Sequence, residues 1–472
     1  MPEISSIQSY VSDEANRRYF FEQLCGLLRR RTVSADSRYV PELRECAEHL
    51  ARFGREQLDM AETKVVPTEG HPCVIMHGRE VPGAPRVLIY GHYDVQPAED
   101  LELWDTPPFE PTLKGSALYG RGACDDKGQF FVWLCALKTL RETAGSCPLN
   151  VTVVLEGEEE IGSAHFASVL KSHKEELRAD AVISSDTSSV VKGVPVLHYS
   201  LRGVMCFEVR LRTAYCDLHS GVHGGVCSNA PREMAKLISK LHDENSRVTV
   251  PGFYDGVLPI EPWEEERLAK VPFNAEEYSR QLGAELYGEA GFTTNQRRWF
   301  RPTLECSGIC GGYTGEGSKT IIPASCMAKF SVRLVAHQNP HKVMDCLEKW
   351  FRDNTPSRAE LEFVRGDMTE PYLLEQSGTG AKLFAAAQKA VKDGFGVEPL
   401  ICRNGGAIGV VAEFSRVLGV PTLLLGLGSP DDRTHGPNEK FEINNFYNGI
   451  AAGAELLNIL SKQWHSSSSR CC

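Results

Sequence analysis

Residues 86–94 read RVLIYGHYD, an apolar run that ends in a histidine and an aspartate. Short runs of β-branched and leucine residues, bounded by glycine or polar residues, are typical of buried strands. Ligand sites in open α/β sheets form beyond the carboxyl ends of such strands. The sequence therefore predicts a hydrolytic metal centre at one edge of a sheet. Three further apolar runs are also followed by residues that can bind a metal ion. They are residues 151–155 before EGEEE at 156–160, residues 181–183 before Asp186, and residues 421–425 before the loop that carries His435.

The size and charge of the chain exclude several classes of protein. A length of 472 residues exceeds what one hydrophobic core usually supports, so two domains are expected. A net charge of −11 argues against nucleic acid or an anionic membrane as a partner. No apolar segment is long enough to span a bilayer, and residues 1–30 lack the apolar core of a signal peptide.

Sixteen cysteines are scattered through the chain. In a chain of this size without an export signal, they indicate free thiols in a reducing cytoplasm rather than a disulfide framework. Cys471 and Cys472 end a serine-rich tail, for which lipidation is one interpretation. A disordered end without a role is the preferred one.

Helix and strand patterns alternate over the first 200 residues and again after residue 377. Such alternation predicts a mostly parallel sheet covered by helices on both faces. The predicted helices are residues 15–30, 42–53, 128–143, 163–177, 379–392 and 444–460, and the predicted strands are residues 73–76, 86–90, 151–155 and 423–425.

The pattern between residues 201 and 377 differs, and favours a small α+β sandwich inserted into the first domain. If His92 and His435 share a site, the outer segments form one discontinuous domain of residues 1–200 and 378–472. The inserted strands are predicted at 204–211, 328–335 and 359–364, and the inserted helices at 231–242 and 340–351.

His92 and Asp94 lie two residues apart at the end of the first apolar run. Side chains at i and i+2 of a strand point the same way, and a carboxylate commonly fixes the tautomer of a histidine ligand. A surface histidine beside a surface aspartate is the alternative interpretation.

Asp125 lies in the glycine-containing segment YGRGACDDKG, residues 119–128. Its two carboxylate oxygens can bridge two cations, although an N-cap of the following helix would use the same residue type. Glu159 and Glu160 follow the strand that ends at Leu155. Because neighbouring residues in a turn can point in different directions, one can bind metal while the other faces the attacking water. Metal pairs about 3.5–4 Å apart activate such a water, and a free glutamate can move its proton. A solvated acidic loop is the alternative.

Taken in order, these segments resemble the two-metal aminoacylase and carnosinase family of metallopeptidases, peptidase family M20, in its dipeptidase-like branch. The resemblance spans about residues 34–439. The matching stretches are GHYDVQP at 91–97, LWDTPPF at 103–109, residues 118–128 and 156–163, SD at 185–186, LRG at 201–203, DLHSG at 217–221, GGYTG at 311–315, residues 318–334, and residues 430–439.

The resemblance implies a role for each residue of the centre. His92 and Asp186 would hold one metal ion, Glu160 and His435 the other, and Asp125 would bridge them. Glu159 would be the general base and Asp94 the partner that orients His92. The family also implies a cis peptide between Asp125 and Asp126.

The same resemblance makes residues 1–200 and 378–472 the metal-binding catalytic domain and residues 201–377 a lid and dimerisation domain. Within that inserted domain, His219 would reach the site of the other subunit and polarise the scissile carbonyl, with help from Thr320. Arg333 would bind the substrate carboxylate, which suits its bidentate fork. Without the resemblance, an interface histidine, a strand threonine and an outward-facing arginine are the preferred interpretations.

The segment RNGGAIG at 403–409 departs from the family pattern. Members of this branch commonly have Ser and Pro where this chain has Ala407 and Gly409. Because the metal ligands and the base are intact, the departure concerns substrate choice rather than catalysis.

The sequence thus predicts a cytoplasmic, homodimeric hydrolase that cleaves the amide bond of dipeptides or similar small substrates. Two divalent metal ions per chain are expected, zinc by default from the His and carboxylate set, with manganese or cobalt as alternatives. An N-acyl or N-carbamoyl amino acid amidohydrolase is the nearest alternative, and a non-catalytic binding protein on the same fold is a more distant one.

Overall fold

The computed structural model describes residues 2–98 and 100–465, so the predictions for the Cys471–Cys472 tail lie outside the described residues. The chain divides into two compact units. The first runs up to Tyr199 and also contains Leu374–Cys402 and the described residues from Gly409 onward. The second contains Ser200–Leu373 and Arg403–Ile408.

Helices and strands alternate in both units. The helices are α1 Ile4–Ser12, α2 Glu14–Leu28, α3 Val40–Gln57, α4 Lys127–Ala144, α5 Phe166–Ser172, α6 Ser220–His223, α7 Ala230–Ser239, α8 Pro262–Leu268, α9 Ala275–Leu282, α10 Thr294–Phe300, α11 Pro340–Asn354, α12 Gly378–Phe395, α13 Gly409–Leu418 and α14 Ile443–His465. The strands are β1 Glu62–Val66, β2 Cys73–His77, β3 Arg86–His92, β4 Thr112–Lys114, β5 Ala117–Tyr119, β6 Asn150–Glu156, β7 Ala181–Ser184, β8 Val196–Leu201, β9 Gly203–Arg212, β10 Leu218–His219, β11 Thr303–Gly311, β12 Ile321–Ile322, β13 Ser325–Leu334, β14 Glu360–Thr369, β15 Tyr372–Leu373, β16 Leu400–Asn404, β17 Thr422–Gly426 and β18 Lys440–Glu442.

The large sheet of the first unit has the order β1-β2-β6-β3-β7-β17-β8, with β16 also beside β8. Its central strands β6, β3, β7 and β17 pair in parallel, and antiparallel pairs lie on both sides of them. The parallel centre brings the carboxyl ends of these four strands to one edge. The α/β fold and the apolar strand at 86–90 are therefore confirmed.

Helices cover both faces of β3. The ring of Tyr90 lies 5.5 Å from that of Phe166 in α5 and 5.3 Å from that of Phe414 in α13. The next residue, Gly91, faces α4, where a β-carbon added to it would lie 2.3 Å from Cβ of Phe130. Successive strand residues point to opposite faces, so α5 and α13 cover one face and α4 the other. Only glycine fits between β3 and α4 at this position.

The second unit has its own antiparallel sheet, in the order β11-β13-β9-β14. Every second residue of β9 is buried, as expected for a sheet with one face against helices. Phe207 of β9 stacks at 4.8 Å on Phe330 and at 4.9 Å on Phe363, and these rings share a core with residues of α7 and α11. The predicted α+β sandwich is confirmed.

Some elements differ from the sequence predictions. The predicted helix at 163–177 is only α5, because Ser163 has a left-handed φ of 53° and donates its hydroxyl to Glu156. Strand β8 escaped prediction because His198 and Ser200 interrupt its apolar run, although both are buried.

Two compositional predictions concern the described residues directly. The cysteines from Cys25 to Cys402 are free thiols, as predicted. Among residues 2–98 and 100–465, no helix combines the length and apolar character that crossing a bilayer demands.

Candidate metal centre

His92, the last residue of β3, is fully buried at the carboxyl edge of the parallel strands. Its Nε2 atom lies 3.2 Å from Oδ1 of Asp125 and 3.9 Å from Oδ2 of Asp186. Asp186 follows β7, the strand beside β3, which explains how two residues 94 positions apart in the chain meet. His92, Asp125 and Asp186 thus form one group that could hold a metal ion.

A second group lies on the other side of Asp125. Nε2 of His435 is 2.9 Å from Oδ2 of Asp125 and 3.2 Å from Oε2 of Glu160. Asp125 therefore offers one carboxylate oxygen to each histidine. The two groups have the same membership as the two ligand sets that the family resemblance implies.

Asp94 contacts both the first histidine and the glutamate pair. Its Oδ1 lies 3.4 Å from Nδ1 of His92, and its backbone carbonyl is 3.1 Å from the same nitrogen. Its two carboxylate oxygens also accept hydrogen bonds from the backbone N–H groups of Glu159, at 3.2 Å, and Glu160, at 3.1 Å. The side chain of Asp94 therefore fixes the 3₁₀ turn Glu159–Ile161 relative to His92.

The charges in the two groups are strongly coupled. Burial alone would lower the pKa of His92, but hydrogen bonds to Asp125, Asp186 and Asp94 outweigh it and raise this pKa well above its usual value. Burial opposes ionisation of Asp125, yet hydrogen bonds from His435 and His92 hold its pKa below the usual range. The hydrogen bonds of His435 with Asp125 and Glu160 raise the histidine pKa to about 10.

The donor set fits two divalent cations. Imidazole nitrogens with carboxylate oxygens are the ligands of catalytic zinc sites, and they also suit manganese and cobalt. Burial and the charge of Asp125 raise the pKa of Asp186 to about 6, and burial together with Asp186 and Glu156 raises that of Glu159 well above its usual value. These shifts report crowded negative charge, which a bound cation offsets.

The loop that carries His435 is held in place by the side chain of Asn438, which forms hydrogen bonds with the backbone of residues 103 and 105. Arg433, His435 and Asn438 all have left-handed backbone angles, which cost energy outside glycine. Asn438 accepts a hydrogen bond from the N–H of Asp105 at 2.7 Å and donates one to the carbonyl of Leu103 at 2.9 Å.

Several polar contacts of the candidate ligands were missed by sequence reasoning. Gln96 donates a hydrogen bond to Oε2 of Glu160 at 2.8 Å. Buried Asp126 accepts one from the N–H of His92 at 3.2 Å, and its peptide bond with Asp125 is cis, as the resemblance implied. Glu439 accepts hydrogen bonds from the Asp125 segment. Single polar residues carry no periodicity that names a partner, although Gln96 and Glu439 do lie in the stretches that resemble the family.

The remaining predicted residues belong to the second unit. His219 ends β10, where its Nδ1 accepts a hydrogen bond from the N–H of Gly221 at 3.0 Å. Thr320 directly precedes β12, the strand that pairs with β10, and its carbonyl accepts from the N–H of Ser220 at 3.0 Å. Arg333 lies near the far end of β13, opposite Thr303 and Val204, and is not brought beside the other two. The roles predicted for these three residues stay predictions.

Known proteins resemble the chain over almost its whole length. Residues 88–459 match the profile described as "Peptidase family M20/M25/M40". The Cys-Gly metallodipeptidase DUG1 of Candida albicans is 31% identical over 91% of this chain and 92% of its own length. The Beta-Ala-His dipeptidase of Rattus norvegicus is 31% identical over 85% of this chain and 82% of its own. The solved structure of the di-peptidase Dug1p from Saccharomyces cerevisiae is 27% identical, covers 98% of this chain and 99% of its own, and superposes with a TM-score of 0.77.

A profile match over most of the chain and relatives of this similarity establish the family. The two groups that could hold metal ions, which share Asp125, agree with that assignment. The chain belongs to peptidase family M20/M25/M40 and is a metallopeptidase.

Proposed function

We propose that this metallopeptidase hydrolyses the peptide bond of dipeptides with two divalent metal ions, held by His92 and Asp186 on one side of Asp125 and by Glu160 and His435 on the other. The observation that carries the proposal is the sharing of Asp125, whose two oxygens lie 3.2 Å and 2.9 Å from the two histidines. One carboxylate facing two donor sets is the arrangement that a two-metal hydrolase needs. The names of the relatives, which are dipeptidases, support dipeptides as the substrate class.

Divalent ions bound at these groups would lower the pKa of a water molecule and polarise the scissile carbonyl. Glu159 is proposed to take the proton of the attacking water on its carboxylate and to deliver it to the leaving nitrogen. Its backbone is fixed by Asp94, which also contacts His92. Asp94 therefore aligns the base with the first ligand group, and such alignment is part of the rate enhancement.

Zinc is the proposed metal, because each group offers one imidazole nitrogen and two carboxylate oxygens, ligand types that catalytic zinc sites use. Manganese and cobalt remain the alternatives, since carboxylate-rich sites suit them as well.

The second unit is proposed to bind substrate and to form a homodimer. Arg333 would pair with the substrate carboxylate, and His219 with Thr320 would act on the carbonyl in the site of the other subunit. Exposed apolar side chains near His219 support an interface there: Tyr215 is 82% exposed, Val222 67% and Val226 79%. A cytoplasmic location is proposed from the free cysteines of the described chain.

The experiment that tests this function is a hydrolysis panel of dipeptides, N-acetyl amino acids and N-carbamoyl amino acids, run on Zn²⁺-reconstituted protein. We expect dipeptides to be cleaved, chelation to abolish cleavage, and Zn²⁺, Mn²⁺ or Co²⁺ to restore it to different extents. If only the N-acetyl or N-carbamoyl amino acids were hydrolysed, the protein would be an amidohydrolase and the dipeptidase proposal would be wrong. Hydrolysis that persists in the presence of the chelator would show that the reaction does not need the metal ions.

Ala407 offers a second test, because the family pattern has a serine there. The backbone around it is held by Arg202, whose N–H donates to the carbonyl of Gly406 at 3.0 Å and whose Nε donates to that of Gly405 at 2.8 Å. In Ala407→Ser, a hydroxyl on this fixed loop should add one hydrogen bond to the substrate carboxylate. We expect the KM for dipeptides to fall by about 10- to 100-fold, the value of a hydrogen bond to a charged group. An unchanged KM would show that this position does not contact the carboxylate.

A further inference from the structure

Four hydrogen-bond donors converge on one buried carboxylate near the ligand loops. The side chain of Glu439 is 0% exposed. Its Oε2 accepts from Nη1 of Arg121 at 2.7 Å and from the N–H of Gly122 at 3.0 Å. Its Oε1 accepts from the N–H groups of Cys124 at 2.9 Å and Asp125 at 3.0 Å. Both oxygens are thus used to hold the backbone that carries Asp125.

The other member of this ion pair also contacts the loop after β3 and a second position in the loop that carries His435. Arg121 is 3% exposed in its side chain, and its Nη2 donates at 3.1 Å to the carbonyl of Pro97 and at 3.1 Å to the carbonyl of His435. Pro97 lies in the loop that follows His92 and Asp94, and His435 is itself a member of the second group. The planar guanidinium therefore joins its own segment to the Pro97 loop and to the loop of residues 435–439, which a point charge cannot do with the same geometry.

Because Arg121 and Glu439 are both buried, each charge depends on the other for its stability. A buried charge is tolerated only when it is paired and hydrogen-bonded. Here the pairing runs between segments that lie more than three hundred residues apart in the chain, Arg121 and Glu439. Any relative movement of the two segments would leave one charge unpaired, so the pair favours a single separation of Asp125 and His435.

We propose that Arg121 and Glu439 are positioning residues of the metal centre, which set the separation of the Asp125, His435 and His92 loops and thereby the affinity for metal. The inference rests on the metal centre of the proposed function. Partners outside the ligand set typically change metal affinity by about 10- to 100-fold when removed. The pair contacts ligand backbones rather than metal or substrate, so it acts through the ligands.

The test measures Zn²⁺ binding by competition with a chromophoric chelator for wild type, Arg121→Lys and Glu439→Gln. Lysine keeps the charge but loses the fork, and glutamine keeps the shape but turns an N–H₂ group toward backbone donors. We expect each variant to weaken the Kd for Zn²⁺ by about 10- to 100-fold. The Zn²⁺-induced rise in Tm should shrink correspondingly, because it depends on the ratio of free metal to Kd.

Arg301→Lys is the matched control. Arg301 makes a partly buried bidentate pair with Glu289, with contacts of 2.7 Å from Nε and 2.7 Å from Nη2, but it touches neither ligand group. We expect this variant to lower the metal-free Tm and leave the Kd within twofold of wild type.

Two results would overturn the proposal: wild-type Kd values in both variants, or an equal loss of affinity in Arg301→Lys, which would indicate general destabilisation. If Arg121→Lys does not fold, Glu439→Gln alone decides between these results. Wild-type protein that binds no Zn²⁺ would instead refute the metal centre itself, a failure distinct from that of the positioning pair.

Discussion

Replacing Glu159 with glutamine should lower kcat for dipeptide hydrolysis by about 10²- to 10⁴-fold, the usual contribution of a positioned general base. Glutamine keeps the size of the side chain. It also leaves the turn in place, because the carboxylate of Asp94 accepts hydrogen bonds from the backbone N–H groups of residues 159 and 160, which the substitution does not change. It cannot take a proton. Zn²⁺ stoichiometry should remain at the wild-type value, because Glu159 belongs to neither ligand group.

Two further variants separate proton transfer from metal binding. Glu160→Gln changes the adjacent residue, which lies 3.2 Å from His435, and should weaken Zn²⁺ binding as well as turnover. Glu175→Gln, at an exposed position of the same unit, should change neither quantity. If Glu159→Gln retains more than a tenth of the wild-type kcat, another group is the base.

Replacing Asp125 with asparagine should have the larger effect, because it removes charge from both ligand groups. One oxygen of the new amide can still face one histidine, but the N–H₂ group that replaces the other oxygen cannot bind a cation. We expect fewer than two Zn²⁺ ions per chain and a loss in kcat/KM of at least about 10³-fold, equivalent to roughly 4 kcal/mol of transition-state stabilisation. Equilibrium dialysis with metal analysis gives the stoichiometry, and steady-state kinetics give the rate.

The control for this variant is Asp180→Asn. Asp180 is an exposed residue of the same unit, and its Oδ2 accepts a hydrogen bond from the N–H of Arg86 at 2.8 Å, at the start of β3. It should keep two Zn²⁺ ions per chain. Two tightly bound ions in Asp125→Asn would mean that Asp125 does not bridge them.

The strand ends could be predicted from the sequence because their signal is local. The run at 86–90 is buried from Val87 to Tyr90, and periodicity alone indicates such a strand. The position of His92 and Asp186 at its carboxyl edge then follows from parallel pairing with β7. His92 and His435 are far apart in the sequence, so no local pattern shows that they share a site. Only the family resemblance predicts that they do.

The polar framework around the ligands could not be predicted for the same reason. Glu439 contacts Arg121 across more than three hundred residues, and a single acid in a loop gives no indication of its partner. Gln96 likewise is an ordinary turn residue until its 2.8 Å contact with Glu160 is known. Contacts of this kind depend on tertiary structure, which overrides local preference.

The order of strands also constrains how the chain is made on the ribosome. β17 lies between β7 and β8 in the sheet, although roughly 220 residues of synthesis separate it from β8. At about 5–20 residues per second, β7 and β8 are translated roughly ten to forty seconds before the strand that joins them. During that interval each has an unpaired side, which is a template for wrong pairing. The nascent chain must therefore keep the open edges of β7 and β8 from pairing with other strands until β17 emerges.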